Sequence, residues 1–213
     1  MKKPCAKNTD FSASAMQCSC SKSCAVCKSV IIAEGDSAML VVKAVNEKSD
    51  AFESVQELYV RSFPENERRP LEPLMRDGSG LSELIAFYEG NCFCGFAALL
   101  NAEDITHIIY FAVEEKQRNR GIGSRALAEI KKAKAGRRII VDIEAQREDA
   151  DNNAQREKRK QFYFRNGYAE SNVGYRWRGE TYEILVSGGG FTDEDFEGFW
   201  RVMRRKCAHL LKQ

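Results

Sequence analysis

The sequence predicts a single mixed α/β domain whose front half is largely antiparallel. Three observations favour this fold class. Apolar strand patterns alternate with amphipathic helix patterns from residue 39 onward, two strand pairs are separated by short turn sequences, and one strand is apolar on both faces, as a central strand should be. The predicted order is strand, helix, three strands, helix, strand, helix, two strands and a final helix.

The first half of the pattern supplies the antiparallel strands. Phe52, Val55 and Leu58 recur at helical spacing, and Glu89-Gly90-Asn91 is typical of a hairpin turn. The predicted elements here are a strand at 39–45, a helix at 50–62, a loop holding Pro64, Pro70 and Pro73, strands at 84–90 and 92–100, and a central strand at 104–113.

Helices and strands alternate in the second half. Asn166-Gly167 would close a polar helix, Arg178-Gly179-Glu180 would turn a hairpin, and three glycines at 188–190 would precede the last helix. The predicted elements here are a helix at 121–135, a strand at 138–144, a helix at about 151–165, strands at 168–177 and 181–187, and a helix at 193–211.

Three segments of the chain differ in pattern. Residues 1–38 are rich in Ser, Lys, Ala and Cys without a sustained period, and we expect an irregular extension there. Residues 39–187 carry the domain pattern, which begins at a methionine, and residues 188–213 carry the glycine hinge and the C-terminal helix. The apolar stripe of that helix predicts docking onto its own domain, with a homodimer contact as the alternative.

Charge and hydropathy exclude several partner classes. The net charge is +2 and no segment is long and apolar enough to span a bilayer, so neither nucleic acid nor a membrane is expected as a partner. Eight cysteines occur without an export-signal pattern, which predicts reduced thiols and a cytoplasmic location.

Four cysteines cluster near the N-terminus, at positions 18, 20, 24 and 27. Four thiolates could hold zinc, but ordinary finger sites use two separated pairs and this spacing is tighter. An unstructured, reduced segment is therefore the favoured interpretation, and no metal is expected at the functional site.

The most informative segment covers residues 113–124 and links the central strand to a helix. Gly121 and Gly123 allow the backbone to approach a ligand closely, and consecutive N–H groups at a helix start bind phosphate oxygens. Arg118 and Arg120 add positive charge to the same loop. The segment therefore predicts a pyrophosphate cradle.

A dinucleotide-binding loop is one alternative interpretation of this segment, and a glycine helix start without a ligand is another. Residues 121–126 satisfy G-x-G-x-x-A, and Asp142 ends the next strand about 20 residues on, where a ribose-binding acid would lie. However, seven mostly charged residues separate Val113 from Gly121, whereas a dinucleotide loop turns almost at once from its strand. Only one strand–helix–strand unit carries this loop, which also disfavours that fold.

Two motifs resemble the GNAT superfamily of acyl-CoA-dependent N-acyltransferases. Arg118, Gly121 and Gly123 fill the pattern R/Q-x-x-G-x-G/A, and Val113 lies eight residues before the first glycine, in register with the family. Residues 162–168, FYFRNGY, resemble the F-Y-x-x-x-G-F/Y segment. The motifs occur in the family's order with one strand between them, and the resemblance covers about residues 39–187.

The resemblance implies a GNAT-like fold, with a central mixed sheet splayed between the strands at 104–113 and 138–144, flanked by helices. It implies acetyl-CoA as cosubstrate, Tyr163 as the general acid, and a Val113 N–H that could polarise the thioester carbonyl. The implied acetyl-CoA contacts are Phe111, Val113, Arg118, Asn119, Arg120, Gly121, Ile122, Gly123 and Ser124.

One position departs from the family pattern. GNAT proteins often have an Asn seven residues before the Tyr, in contact with the pantetheine arm, and this chain has Arg156 there. Asn152 and Asn153 lie eleven and ten residues before Tyr163, and we take Asn153 as the candidate for this contact.

Direct transfer to an amine also requires a general base. The candidates are Asp142, Glu144, Glu103 and His107. Asp142 and Glu144 share a strand face, and Glu144 leads because it is nearer the predicted opening of the sheet. The simpler interpretation is that these acids cap the strand end or pair with arginine, and His107 is more typical of a core histidine.

These expectations together predict an N-acetyltransferase that transfers acetyl from acetyl-CoA to an amine of a small molecule or protein by direct attack in a ternary complex. A non-catalytic acyl-CoA-binding module is the alternative, and Tyr163 argues against it because a binder needs no proton donor. Carboxylates clustered after the strand at 138–144 mildly favour a cationic acceptor.

Overall fold

The computed structural model describes residues 39–75 and 80–206. The predicted N-terminal extension, with its cysteine cluster, and the end of the predicted last helix lie outside these residues. The strands are β1 (Leu40–Ala44), β2 (Ser82–Glu89), β3 (Cys92–Ala102), β4 (Ile105–Val113), β5 (Arg138–Glu144), β6 (Ala169–Trp177) and β7 (Glu180–Ser187). The helices are α1 (Ala51–Ser62), α2 (Glu72–Met75), α3 (Ile122–Ala133), α4 (Asn153–Arg165) and α5 (Asp193–Lys206).

The described strands form a seven-stranded sheet in the order β1-β2-β3-β4-β5-β7-β6. Every neighbouring pair is antiparallel except β4 and β5, which are parallel. Inside the described residues each predicted helix or strand boundary lies within two residues of the observed one. The mixed α/β fold class is confirmed.

The sheet opens between β4 and β5. These strands pair only from Ile105 opposite Arg138 to Ile108 opposite Val141, and no pairing continues toward Val113. The opening coincides with a bulge in β4, where Ile109 is the extra residue between two successive pairs with β3. Because a bulge bends its strand, the C-terminal half of β4 turns away from β5. The predicted splay is confirmed.

Helices cover both faces of the sheet. The buried residues of α1, α2 and α5 share one core with the sheet, and those of α3 and α4 share the other. Phe199 and Met203 of α5 are fully buried in the first core, so this helix docks onto its own domain as predicted. A homodimer remains a prediction. Within the described residues, none of the helices combines the length and apolar character needed to cross a membrane.

The proline-containing loop is more ordered than its sequence indicates. Two short helical segments occur in it, Glu65–Glu67 and α2, and both depend on distant contacts. The Tyr59 hydroxyl donates to the Arg69 carbonyl at 2.9 Å and accepts from the Arg69 N–H at 2.7 Å. The Tyr110 hydroxyl donates to the Glu67 carbonyl at 2.9 Å. The Ser82 hydroxyl donates to the Leu74 carbonyl of α2 at 2.8 Å. Such contacts leave no periodic pattern in the sequence, so α2 was not predicted.

Candidate active site

One cleft of about 1300 Å³ occupies the opening between β4 and β5. Its lining comes from both faces of the sheet: the loop at 117–124 and α4 on one side, and β6, β7, α5 and the proline-containing loop on the other. Phe111 and Val113 of β4 face it from one strand, and Asp142 and Glu144 of β5 from the other. A ligand on the α3 side and a ligand on the α5 side could therefore meet inside the sheet.

The predicted cradle loop lies at the α3 end of this cleft. Gly121 adopts a left-handed φ of 73° at the start of α3, and Asn119 a φ of 59°. The first helical hydrogen bond joins the Arg125 N–H to the Gly121 carbonyl at 3.0 Å. Within the described chain, no acceptor is bonded to the N–H groups of residues 119–124. Six backbone donors at a positive helix end can hold a phosphate.

The two arginines of the loop behave differently. Arg118 lines the cleft, and its Nε donates to the Val113 carbonyl at 3.3 Å. Arg120 points elsewhere: its Nη2 lies 3.2 Å from Glu89 Oε2, and its side chain is not part of the cleft lining. Only its backbone N–H belongs to the cradle. The sequence did not distinguish them because the partner, Glu89, lies 31 residues away.

The C-terminal half of β4 presents a free edge to the cleft. The Glu114 N–H donates to Cys94 of β3 at 2.9 Å. Because successive peptide groups along a strand point to opposite edges, those of Phe111 and Val113 point toward β5. β5 does not pair with them, since its pairing ends opposite Ile108. This edge can accept an extended ligand as an added strand, as predicted for the pantetheine arm.

Tyr163 lies on α4 against the same cleft and is 5% exposed. Its ring packs edge-on against Phe162 at 5.2 Å and Tyr168 at 5.3 Å. Burial raises the pKa of Tyr163 above its usual range, so the hydroxyl stays protonated at neutral pH. No residue in the described ranges is hydrogen-bonded to this hydroxyl. Tyr163 is therefore a largely buried, protonated phenol beside the opening of the sheet.

Glu144 lies in the cleft but is engaged by two arginines. Arg159 donates to its Oε2, and the Nη2 of Arg156 lies 3.3 Å from its Oε1. Asn152 Nδ2 adds a long hydrogen bond of 3.4 Å to Oε1. The simpler interpretation, pairing with arginine, is therefore realised in the structure. Acting as a base would require Glu144 to release at least one partner.

Of the other candidate bases, two line the cleft and one does not. Glu103 is exposed in the β3–β4 turn, at the end of β4 opposite Val113, and is not part of the cleft lining. It cannot reach a ligand in the opening. Asp142 and His107 both line the cleft, and the His107 Nε2 lies 2.9 Å from the Asp142 Oδ2.

Arg156, which replaces the family's Asn, is 5% exposed and holds three elements together. It donates to the Asn152 side chain at 2.8 Å, to the Ala145 carbonyl at 2.9 Å and to Glu180 of β7 at 3.2 Å. This residue therefore fastens α4 to the end of β5 and to the β6–β7 hairpin. Its guanidinium is occupied by the protein itself.

Asn153 is not where the sequence placed it. Its Oδ1 accepts a hydrogen bond from the Arg147 N–H at 3.0 Å and closes the loop before α4, and Asn153 is outside the cleft lining. The neighbouring Asn152 lines the cleft instead. The difference follows from the helix start: α4 begins at Asn153, two residues later than predicted.

One face of α4 lines the cleft more extensively than the sequence indicated. Gln155, Lys158, Phe162 and Arg165 all line the cleft. Their spacing of three, four and three residues puts them on one side of a helix. The sequence of residues 156–160, REKRK, indicates a solvated face as the simpler interpretation and a contact to the coenzyme A 3′-phosphate as the alternative. The periodic spacing was the signal that could have identified the surface.

The sequence pattern of the acetyltransferase (GNAT) family matches residues 52–168. The chain belongs to this family. The match includes the cradle loop and the FYFRNGY segment, and it spans more than half of the chain. No curated protein matches the sequence.

Solved GNAT structures share this fold at low sequence identity. A GNAT-family protein from Bacteroides thetaiotaomicron has a TM-score of 0.65 at 21% identity, covering 81% of this chain and 99% of that one. An aminoglycoside 6′-N-acetyltransferase complexed with coenzyme A has a TM-score of 0.55 at 14% identity, covering 69% and 96%. The ribosomal-protein-S18-alanine N-acetyltransferase from Escherichia coli has a TM-score of 0.51 at 13% identity, covering 74% and 98%.

Proposed function

We propose that this protein is an N-acetyltransferase that transfers the acetyl group of acetyl-CoA directly to an amine while both substrates are bound. One observation carries the proposal: a single cleft runs from the free N–H groups of residues 119–124, through the opening of the sheet, to the α5 side. Direct transfer requires such a passage because the thioester and the amine must approach to within about 3–3.5 Å.

Acetyl-CoA would enter from the α3 side. Its pyrophosphate would bind the N–H groups of residues 119–124, and its pantetheine arm would extend along Phe111 and Val113 of β4. Lys158 and Arg165 of α4 line the same part of the cleft and could contact a further phosphate. In the family an Asn often contacts the pantetheine arm. In this chain that part of the arm would face Asn152 rather than Asn153.

The chemistry would proceed by attack of the neutral amine on the thioester carbonyl carbon, forming a C–N bond. The Val113 N–H would stabilise the negative oxygen of the tetrahedral intermediate. Collapse breaks the C–S bond, and the departing sulfur takes the proton of the Tyr163 hydroxyl. Glu144, the base favoured by the sequence, would have to leave Arg159 before it could accept the amine proton.

The proposal leaves the chemical class of the amine acceptor to be determined by experiment. The structural neighbours named above include enzymes for an aminoglycoside and for a protein alanine, so the shared fold does not choose between small molecules and proteins. A cytoplasmic location likewise remains a prediction.

The test is coenzyme A release from acetyl-CoA in the presence of an amine panel. The panel should include an aminoglycoside, linear diamines and polyamines, and peptides with a free N-terminal alanine or an internal lysine. We expect at least one amine to raise thiol release above hydrolysis and to gain one acetyl group by mass spectrometry. Tight acetyl-CoA binding without transfer to any amine would instead support the non-catalytic binding module.

A further inference from the structure

Asp142 lies at the point where the sheet opens. It follows Val141, the last residue of β5 that pairs with β4. Its Oδ2 accepts a hydrogen bond from the Tyr175 hydroxyl at 2.7 Å and lies 2.9 Å from the His107 Nε2. Its Oδ1 is buried and has no hydrogen-bond partner among the described residues. One carboxylate oxygen is thus held in place and the other is left free.

His107 shares this lack of partners. Its side chain is 1% exposed, and neither ring nitrogen makes a hydrogen bond within the described part of the chain. The Nε2 contact with Asp142 is close, but it lacks the alignment of a hydrogen bond. Buried polar atoms without a partner are uncommon in proteins, so a ligand or water is expected to complete this site.

Aromatic rings form the wall next to these two residues. Tyr175 stacks on Tyr182 at 5.3 Å and on Phe196 at 5.4 Å, and the Trp200 ring lies 5.8 Å from His107. Tyr175, Tyr182, Phe196 and Trp200 all line the cleft. The pocket therefore combines a carboxylate oxygen that has no hydrogen-bond partner among the described residues with an aromatic wall.

The charges near Asp142 and Glu144 differ. Glu144 is paired with Arg156 and Arg159, whereas no Lys or Arg of the described chain forms an ion pair with Asp142. A positively charged ligand would meet a carboxylate without a described Lys or Arg partner at Asp142 and one paired with two arginines at Glu144.

We propose that Asp142 binds the primary ammonium group of the acceptor through its Oδ1 and accepts the ammonium proton before acetyl transfer. The assignment rests on the proposed acetyltransferase function and deepens it, since it defines the acceptor as a primary ammonium. An N–H bond breaks and an O–H bond forms at Oδ1, and the electron pair stays on the nitrogen for attack on the thioester. Tyr175 is a positioning residue that holds the carboxylate through Oδ2.

The test compares Asp142→Asn with wild type in the coenzyme A release assay, using the best amine of the panel. Asparagine keeps the shape but removes the charge and the proton acceptor. We expect kcat/KM for the amine to fall at least 100-fold, while the Kd for acetyl-CoA stays within twofold. Glu170→Gln is the matched control, because Glu170 is an exposed carboxylate on β6 outside the cleft, and it should behave as wild type.

A binding measurement separates recognition from folding defects. With coenzyme A bound, wild type should bind the primary amine at least tenfold more tightly than the alcohol of the same skeleton, and Asp142→Asn should lose this preference. Tyr175→Phe, which leaves the carboxylate, should keep the preference and lower kcat/KM less than tenfold. Running a free amine and a lysine peptide in parallel shows which source supplies the ammonium group.

The outcomes are distinguishable. If wild type acetylates no amine, the proposed function fails and the variant is not needed. If wild type is active and Asp142→Asn keeps kcat/KM and the amine preference, the assignment to Asp142 is overturned, and a loss confined to Glu144→Gln would move the base to Glu144.

Discussion

The backbone of Gly123 lies directly against the ring of Phe162. A Cβ atom built on Gly123 would lie 3.0 Å from the Phe162 Cζ and 3.2 Å from its Cε2, closer than carbon atoms normally approach. The first turn of α3 and the last turns of α4 therefore touch at this pair. The second glycine of the cradle loop therefore lies in a close helix–helix contact as well as beside the cleft.

Gly123→Ala should therefore destabilise the protein. Alanine normally favours a helix over glycine, but here its methyl group must displace Phe162, which should cost about 1–3 kcal/mol of unfolding free energy. Gly123→Val should also weaken acetyl-CoA binding at least tenfold, or ~1.4 kcal/mol. Denaturant unfolding and a binding titration measure the two effects.

The control for this packing effect is a double variant. Phe162→Leu shortens the side chain opposite Gly123, so Gly123→Ala should cost less in that background than in wild type. Equal costs in the two backgrounds would contradict the contact.

Tyr163→Phe should lower kcat by about 100- to 10,000-fold, the usual contribution of a general acid, and leave acetyl-CoA affinity nearly unchanged. The variant keeps the ring contacts with Phe162 and Tyr168 and removes only the hydroxyl. Tyr168→Phe is the control, because its hydroxyl is buried and without a partner in the described residues, and it should keep the wild-type rate. A wild-type rate for Tyr163→Phe, once chemistry is shown to limit turnover, would assign the proton to water or to another residue.

Arg156→Gln should destabilise the domain. The change leaves Glu144 and Glu180 with fewer donors at a site where the arginine is 5% exposed, and breaking a buried charge pair costs about 3–5 kcal/mol. At about 2–4 °C per kcal/mol, Tm should fall by about 6–20 °C. Arg165→Gln, on the same helix but exposed, is the control and should shift Tm by no more than a degree or two. An unchanged Tm for Arg156→Gln would show that its hydrogen bonds are dispensable.

Asp195→Asn should reveal a pH-dependent contribution to stability. The Arg138 guanidinium, 2.7 Å from Asp195 Oδ2, holds the pKa of this carboxyl below its usual range. A carboxyl whose pKa is lowered by folding stabilises the folded protein at pH values above its unfolded-state pKa of about 3.9. This stabilisation is lost as the pH falls through the folded-state pKa. The variant should therefore be less stable by about 1–2 kcal/mol at pH 7, and the gap to wild type should close below about pH 4.

Tm measured from pH 2 to pH 7 tests this expectation for Asp195. Asp193→Asn provides the comparison, since Asp193 is exposed in the same first turn of α5. A gap that stays constant down to pH 2 would show that the charge of Asp195 is not involved.

Much of the fold could be predicted because its signals are local. Apolar periodicity and turn signals identified the seven strands and four of the five α-helices of the described residues, and the two glycines with the FYFRNGY segment located the cradle and Tyr163. The short helix α2 was missed because its Leu74 carbonyl is held by the distant Ser82 hydroxyl rather than by a repeat.

The sequence by itself determined the order of the elements, the family and the cradle loop, because each depends on residues close together in the chain. Only the tertiary structure decided which carboxylate is free. Asp142 and Glu144 are two residues apart on one strand face, and no pattern separates them. Their partners do: Arg159 approaches Glu144 from 15 residues away, and Tyr175 approaches Asp142 from 33 residues away. Folding brings these groups together, and the resulting contacts leave Asp142 with the unpartnered oxygen.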